Sequence, residues 1–261
     1  MSQSTITDQK QRAIDIHHEQ STLFRQRYEE FQRDPYCSAF TYGRRKCDAI
    51  LDRYLPPEGR GARLLDAGCG SGYALYTYAG RGYDCAGLDA AEGMVENARG
   101  LNPGMDIRLG DVEKLPCEDD SFDYLLNIEV IRYLSDPRIS IREFHRVLKP
   151  GGVALVTAMP PLTLTGFALI NMLTARVQVG NLSRVRQYFH SAGWLERTFR
   201  ECGFSKVEVH AAFLGPWRNV ERLAPRLLPG MLRAWEPLDD RLSGVRGLRD
   251  FTNHLVVAAT K

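Results

Sequence analysis

Apolar residues recur along this chain with two periods, and the change between them marks out its parts. Before Pro56-Pro57 the pattern is helical. Thr7-Asp8 can cap a helix running to about Arg33, with Ile14, His17, His18, Phe24, Tyr28 and Phe31 as an imperfect apolar stripe that Asp34-Pro35 ends. A second helix opens at Tyr42-Gly43-Arg44 and runs to Tyr54. From Arg63 onward short apolar runs alternate with helical stretches. Arg63 to Ala67, Tyr83 to Leu88, Met105 to Leu109, Tyr124 to Ile128 and Val153 to Thr157 read as strands. Such alternation predicts a parallel sheet with right-handed crossovers. Trp194 to Cys202 then reads as a helix stopped by Gly203, Lys206 to Phe213 as a strand, and Asn253 to Thr260 as the last strand.

Two stretches break the pattern. No charge occurs from Gly151 to Ala175, and Leu162 to Ala175 is apolar with a few hydroxyls. Pro160-Pro161 precedes it and 14 residues are too short for a bilayer, so it reads as a core helix, a lid over an apolar substrate, or a peripheral membrane contact. Residues 214–250 carry seven Arg, five acids, four Pro, Trp217 and Trp235. They read as two short amphipathic helices whose outer side suits a surface helix pair, a homodimer face or a lipid interface.

Composition narrows the function classes. With 34 basic and 32 acidic residues in 261, the net charge of +2 gives no reason to expect nucleic acid as a partner. The six cysteines show no C-x-x-C spacing, and the first residues contain no apolar run, so reduced thiols in a cytoplasmic protein are expected. The chemistry centres on Arg63-Leu-Leu-Asp-Ala-Gly-Cys-Gly-Ser-Gly-Tyr73: a strand, a carboxylate, then Gly68, Gly70 and Gly72 in a turn that opens a helix. Glycines there admit positive φ and the close approach of a ligand. The spacing is not that of a dinucleotide site, and Asp66 suits a cationic ligand better than a pyrophosphate. Asp89 follows 23 positions later at the tip of the second strand, where a ribose diol would be held, and Asp111 ends the third strand.

With Asp66-Ala-Gly-Cys-Gly-Ser-Gly72, Leu88-Asp-Ala-Ala-Glu-Gly-Met94, Gly110-Asp-Val-Glu-Lys-Leu-Pro116 and Phe122-Asp-Tyr-Leu125 in that order, the chain resembles the class I S-adenosylmethionine-dependent methyltransferases, in their small-molecule, type 11-like group. Arg142-Glu-Phe-His-Arg-Val-Leu-Lys-Pro-Gly-Gly152 extends the resemblance, while Ala91 and Cys117 depart from the usual Ser and Phe. The resemblance implies an α/β fold: a Rossmann-like, seven-stranded, mostly parallel sheet with helices on both faces, an N-terminal helical cap and a helical insertion before the last strand. It divides the chain into a cap (1–60), a cofactor-binding core (61–160) and substrate-covering helices with the last two strands (161–261). S-adenosyl-L-methionine is the implied cofactor. Asp66 and the glycines Gly68, Gly70 and Gly72 would form its turn, Asp89 and Ala90 its ribose site, Met94 its adenine wall, and Asp111 and Val112 its adenine edge. Asn127 falls on the same rim. Tyr42 and Arg44, on a cap helix, either meet the methionine end or are a packing tyrosine and a surface arginine.

The uncharged Leu162 to Ala175 points to a small or medium-sized, largely apolar acceptor of secondary or lipid-like type, and the resemblance to methylation on oxygen. Ile128, Met159, Phe167 and Met172 are expected to line its pocket. For a base, His190, His145, Glu129 and Tyr133 qualify by position; His145 should face away from the rim, and Arg132 stands where the family commonly has His, so His190 is the catalytic candidate. His17 and His18 point about 100° apart on a helix and cannot both enter one site. No metal-ligand spacing occurs, so turnover is expected to survive chelator. The motifs report the cofactor rather than the acceptor, which leaves cyclisation, isomerisation or a non-catalytic role as the alternative.

Overall fold

The computed structural model describes residues 3–177 and 185–261. Seven strands form one sheet in the order β3-β2-β1-β4-β5-β7-β6. They are β1 (Arg63–Ala67), β2 (Asp84–Asp89), β3 (Asp106–Leu109), β4 (Phe122–Asn127), β5 (Leu148–Ala158), β6 (Lys206–Ala211) and β7 (Leu255–Thr260). The first five pair in parallel, whereas β7 runs antiparallel to both β5 and β6. The expected α/β, mostly parallel, Rossmann-like architecture is the one observed.

Successive residues on each strand serve opposite faces, because side chains alternate with period two. On β7, Leu255, Val257 and Ala259 enter one core with α6 (Arg138–Val147) and α8 (Ala192–Glu201). Val256 and Ala258 enter the other with α3 (Ala39–Leu51), α4 (Tyr73–Ala79) and α5 (Glu92–Leu101). Both faces are thus covered, which is why the strands read as near-continuous apolar runs. The anchors are fully buried rings, Phe144 and Phe199 on one side and Tyr42 on the other.

The N-terminal part differs in detail from its sequence pattern. The single long helix is two, α1 (Gln3–Glu19) and α2 (Ser21–Arg33), joined at Gln20. The next, α3, begins three residues early because Ser38 and Thr41 form a reciprocal cap: each side chain accepts the other's backbone N–H, at 3.1 and 3.0 Å.

Within 214–250 the elements are α9 (Trp217–Leu223) and a 16-residue α10 (Leu228–Ser243) that contains Pro237. The latter is not an outlying surface helix. Leu228 and Leu232 are fully buried against the sheet core. Asp239, also fully buried, accepts from the Tyr42 hydroxyl at 2.6 Å and from the Leu214 N–H at 2.7 Å, with the Lys46 ammonium 3.6 Å away. A buried carboxylate satisfied three ways fixes α10 to α3.

The remaining helix, α7 (Phe167–Val177), has two sides. Phe167 turns toward the sheet rim, while Leu169, Ile170 and Leu173 are half exposed or more, at 59%, 49% and 56%. Among the described residues no helix is long and apolar enough to cross a membrane.

Candidate active site

One cavity of about 500 Å³ opens at the carboxyl ends of β1, β2 and β4, roofed by α1, α2 and α3, by Met159, Thr165, Phe167 and Gln187, and by the segment from 213 to 221. Open parallel sheets place ligands at this rim.

Its first half is built by β1 and β2. Gly68, Gly70 and Gly72 all have positive φ, at 92°, 51° and 80°. A Cβ on Gly68 would lie 2.3 Å from Val130 Cγ2, whereas one on Gly70 would meet nothing and would project into open space. The N–H groups of Gly68 and Cys69 donate to Leu88 O at 2.8 and 2.9 Å, and Gly70 N–H donates to Asp89 Oδ2 at 2.9 Å, so the turn is tied to the end of β2. Asp66 is 2% exposed and its Oδ1 has no partner. Burial pushes its carboxyl up to about 7, with Arg44 opposing the shift and Asp89 adding to it. An orphaned carboxylate oxygen next to an open glycine turn fits a ligand with a cationic end. Ala90, Met94, Asp111 and Val112 continue the same wall. The Ser71 hydroxyl donates to Met94 Sδ at 3.4 Å, and Lys10 of α1 is ion-paired with both Asp111 and Glu113. Arg44 borders this half through the cavity side of α3, its guanidinium held by Asp48 at 2.8 Å and lying over the Tyr28 ring at 5.8 Å.

Three expected members of this half lie elsewhere. Tyr42 is fully buried on the opposite side of α3, donating to Asp239, because positions 42 and 44 of a helix diverge by about 200°. Asn127 is fully buried and donates to Ala67 O at 2.6 Å, tying β4 to β1 below the cavity floor. Gly72 packs against α5, where an added Cβ would lie 2.9 Å from Ala98 Cβ, and Asn102 Nδ2 donates to its carbonyl at 3.0 Å.

The second half lies beyond β4 and β5, with Ile128, Met159 and Phe167 on its wall as expected. The Met172 side chain lies outside the described residues. Glu129 is its pivot. A non-glycine residue at φ 63°, it is held in the sparsely populated left-handed region by its own contacts. Its N–H donates to Thr157 Oγ1 at 2.6 Å, that hydroxyl donates to Glu129 Oε1 at 3.0 Å, and Arg132 Nη1 meets Oε2 at 2.6 Å. His254 Nε2 lies 3.1 Å from Oε1. Burial alone would raise the Glu129 carboxyl, but the charges of His254 and Arg132 and the bonds from His254 and Thr157 hold it well below the carboxylate range. The His254 ring stacks on Phe213 at 5.4 Å, and its other nitrogen, Nδ1, is buried without a partner.

The catalytic candidate His190 is not in this cavity. Its N–H donates to Met159 O at 2.9 Å, which turns the side chain toward α8, where it stacks on Trp194 at 4.2 Å. Burial there, with the Arg138 charge, pushes the imidazole down to about 4. His17 lines the cavity, whereas His18 Nδ1 accepts the Gly93 N–H at 3.0 Å on the far side of α1, so the two diverge as helical geometry requires. His254 went unread because Asn253-His254 looked like the start of the last strand. One signal could have found it: an antiparallel last strand begins at the rim where the parallel strands end.

Comparison with known proteins finds methyltransferases. A methyltransferase-domain family matches residues 65–156. A ubiquinone biosynthesis O-methyltransferase of Xanthomonas axonopodis pv. citri is 32% identical over 180 residues, 65% of this chain and 73% of that one. A malonyl-[acyl-carrier protein] O-methyltransferase of Erwinia pyrifoliae is 34% identical over 145 residues, 55% of this chain and 53% of that one. The chain spans only 30% to 53% of the length of most of the curated relatives it matches. A methyltransferase crystal structure from Thermotoga maritima superposes with a TM-score of 0.60 at 20% identity, covering 95% of this chain and 99% of that one, which speaks for the fold alone.

Proposed function

The chain belongs to the S-adenosylmethionine-dependent methyltransferases, and on that premise we propose that it methylates a hydroxyl oxygen on a small or medium-sized acceptor, with His254 as the base. When bound, the cofactor supplies a methyl group on a sulfonium, an already excellent leaving group. The protein therefore has to hold the acceptor in line, keep water out and take a proton. Asp66 Oδ1, buried and unpartnered, would accept from the cofactor's ammonium. Asp89 would accept from the ribose hydroxyls with the lone pairs that Gly70 and Ala91 leave free. Met94 would pack on the adenine, and Asp111 would be shared between its amino group and Lys10.

The observation that carries the reading is the Glu129–His254 pair inside the same cavity. Glu129 stays ionised and faces Nε2, which would leave Nδ1 as the ring nitrogen to take the acceptor's proton. It would also balance the charge the ring acquires on taking the acceptor's proton. Ile128, Met159, Phe167, Tyr133 and Trp217 supply an apolar surround for the acceptor's body and exclude water. The test is incubation of the purified protein with methyl-labelled cofactor and extract of its producer. A labelled, alkali-stable methyl ether supports the reading; a methyl ester, or label on nitrogen or carbon, removes the base argument, and bound cofactor without any product favours a non-transferring role.

A second reading concerns access. The exposed Leu162, Leu164, Leu169, Ile170 and Leu173 beside the cavity's Thr165 and Phe167 favour a peripheral lipid contact through which an apolar acceptor arrives. Sedimentation with anionic vesicles, lost in Leu169→Glu/Leu173→Glu, would support it.

A further inference from the structure

The acceptor half gathers three cations, of which one, Arg132, is already paired with Glu129. Arg27 on α2, Arg132 after β4 and Arg218 on α9 come from three separate elements and line one cavity. Each guanidinium lies over an aromatic ring of that cavity: Arg27 over Phe40 at 5.4 Å, Arg132 over Tyr133 at 4.9 Å and Arg218 over Phe167 at 5.3 Å. A ring under a guanidinium restricts it to a plane. The Arg132 fork is already engaged, with the Tyr133 hydroxyl at 2.7 Å, Met159 Sδ at 3.1 Å and Glu129.

Arg218 feels the charge of the other two. Partial desolvation, then the charges of Arg132 and Arg27, push the Arg218 guanidinium below its ordinary range. Acids share the wall but are occupied: Glu129 by Arg132, His254 and Thr157, and Glu221 by the Ala39 N–H at 3.1 Å, with Glu30 exposed on α2. Arg218 forms no ion pair among the described residues, and Arg132 Nε is buried without a partner. Like charges gathered from separate elements are stabilised when an anion arrives between them. Planar guanidinium forks match the two oxygens of a carboxylate or the face of a phosphate.

We propose that the acceptor carries an oxyanionic group, carboxylate or phosphate, which Arg27 and Arg218 hold, with the Arg132 charge beside them, while its body lies against the aromatic wall. This rests on the methyl-transfer reading for what the anion belongs to, and it replaces the expectation of a largely apolar acceptor with an amphiphilic one.

The experiment measures binding of malonate and of inorganic pyrophosphate by calorimetry at low ionic strength, with and without saturating S-adenosylhomocysteine. It uses the full chain and its Arg27→Gln, Arg218→Gln and Arg200→Gln variants, the last on the exposed side of α8. The expected result is saturable binding of at least one anion, weakened fivefold or more in the first two variants and unchanged in the third. Whichever anion binds names the group, carboxylate or phosphate. Absence of saturable binding, or equal weakening in all three variants, overturns the proposal. Affinity for S-adenosylhomocysteine in the same samples reports on folding, and its absence in the wild type would strike the methyltransferase reading instead.

Discussion

The two halves of the cavity are made in different ways. The cofactor half is a continuous piece of chain: one strand, one turn and the tips of two neighbouring strands, with positions 66, 68, 70, 89, 94 and 111 falling in order. The acceptor half is assembled from α2, the loop after β4, α9 and the first residue before β7, which are up to 227 positions apart between Arg27 and His254. The first half is acidic and glycine-lined, fitted to a cation; the second is built of arginines, rings and one carboxylate–imidazole pair. The difference teaches that a site read from local spacing reports the shared ligand, while the proposed acceptor site is read from contacts between distant elements.

The largest expected effect tests whether the halves are separable. His254→Ala should lower kcat by on the order of 10²- to 10⁴-fold, the usual contribution of a positioned base, and leave cofactor affinity within about twofold. Equal loss of both in a folded variant would mean that the halves act as one unit. Next, Gly68→Ala should act in the opposite half. Its φ of 92° and the 2.3 Å approach to Val130 Cγ2 combine strain with overpacking, costing about 2–3 kcal/mol of stability and loosening cofactor binding. A chemical denaturation midpoint equal to wild type would show that the turn is not held as described.

A smaller effect appears as pH dependence. Because the Asp66 carboxyl sits near 7 when no cation is bound, cofactor binding must displace a proton below that pH. Affinity should fall about tenfold per unit as the pH drops below about 7, and Asp66→Asn should flatten the profile. The sign for stability is opposite. A raised folded value favours the protonated form, so this group's contribution to the unliganded fold is full below the ordinary carboxylate value. It is lost as the pH rises through about 7. Calorimetry with and without S-adenosylhomocysteine, from pH 5 to 8, reads both signs. The smallest effect is on turnover in His190→Ala, expected within twofold of wild type, since that ring stacks on Trp194 outside the cavity. Its melting temperature should still fall by a few degrees through the lost stacking. A 100-fold loss of turnover at unchanged cofactor affinity would return His190 to the reaction.

Much was legible in the sequence because its causes are local. Short apolar runs named the five parallel strands and the last one and alternation the sixth, the positive-φ glycines named the turn, and Asp66, Asp89 and Asp111 stand on the cavity wall where strand ends put them. Boundaries slipped where a cap decided them, as at Ser38-Thr41. Faces were misjudged where helical phase decided them, as with Tyr42 against Arg44.

By itself the sequence determined the class of fold, the order of its strands and helices, and the cofactor, since each depends on residues close together along the chain. The tertiary structure decided the rest. The antiparallel course of β7 carries His254 to the rim beside Glu129, and the seating of α10 on α3 consumes Tyr42. The Met159 carbonyl draws His190 out of the site, and the approach of α9 to α7 sets Arg218 over Phe167. These pairings have no spacing to announce them, because their partners meet only after distant elements have buried their apolar faces on the same sheet.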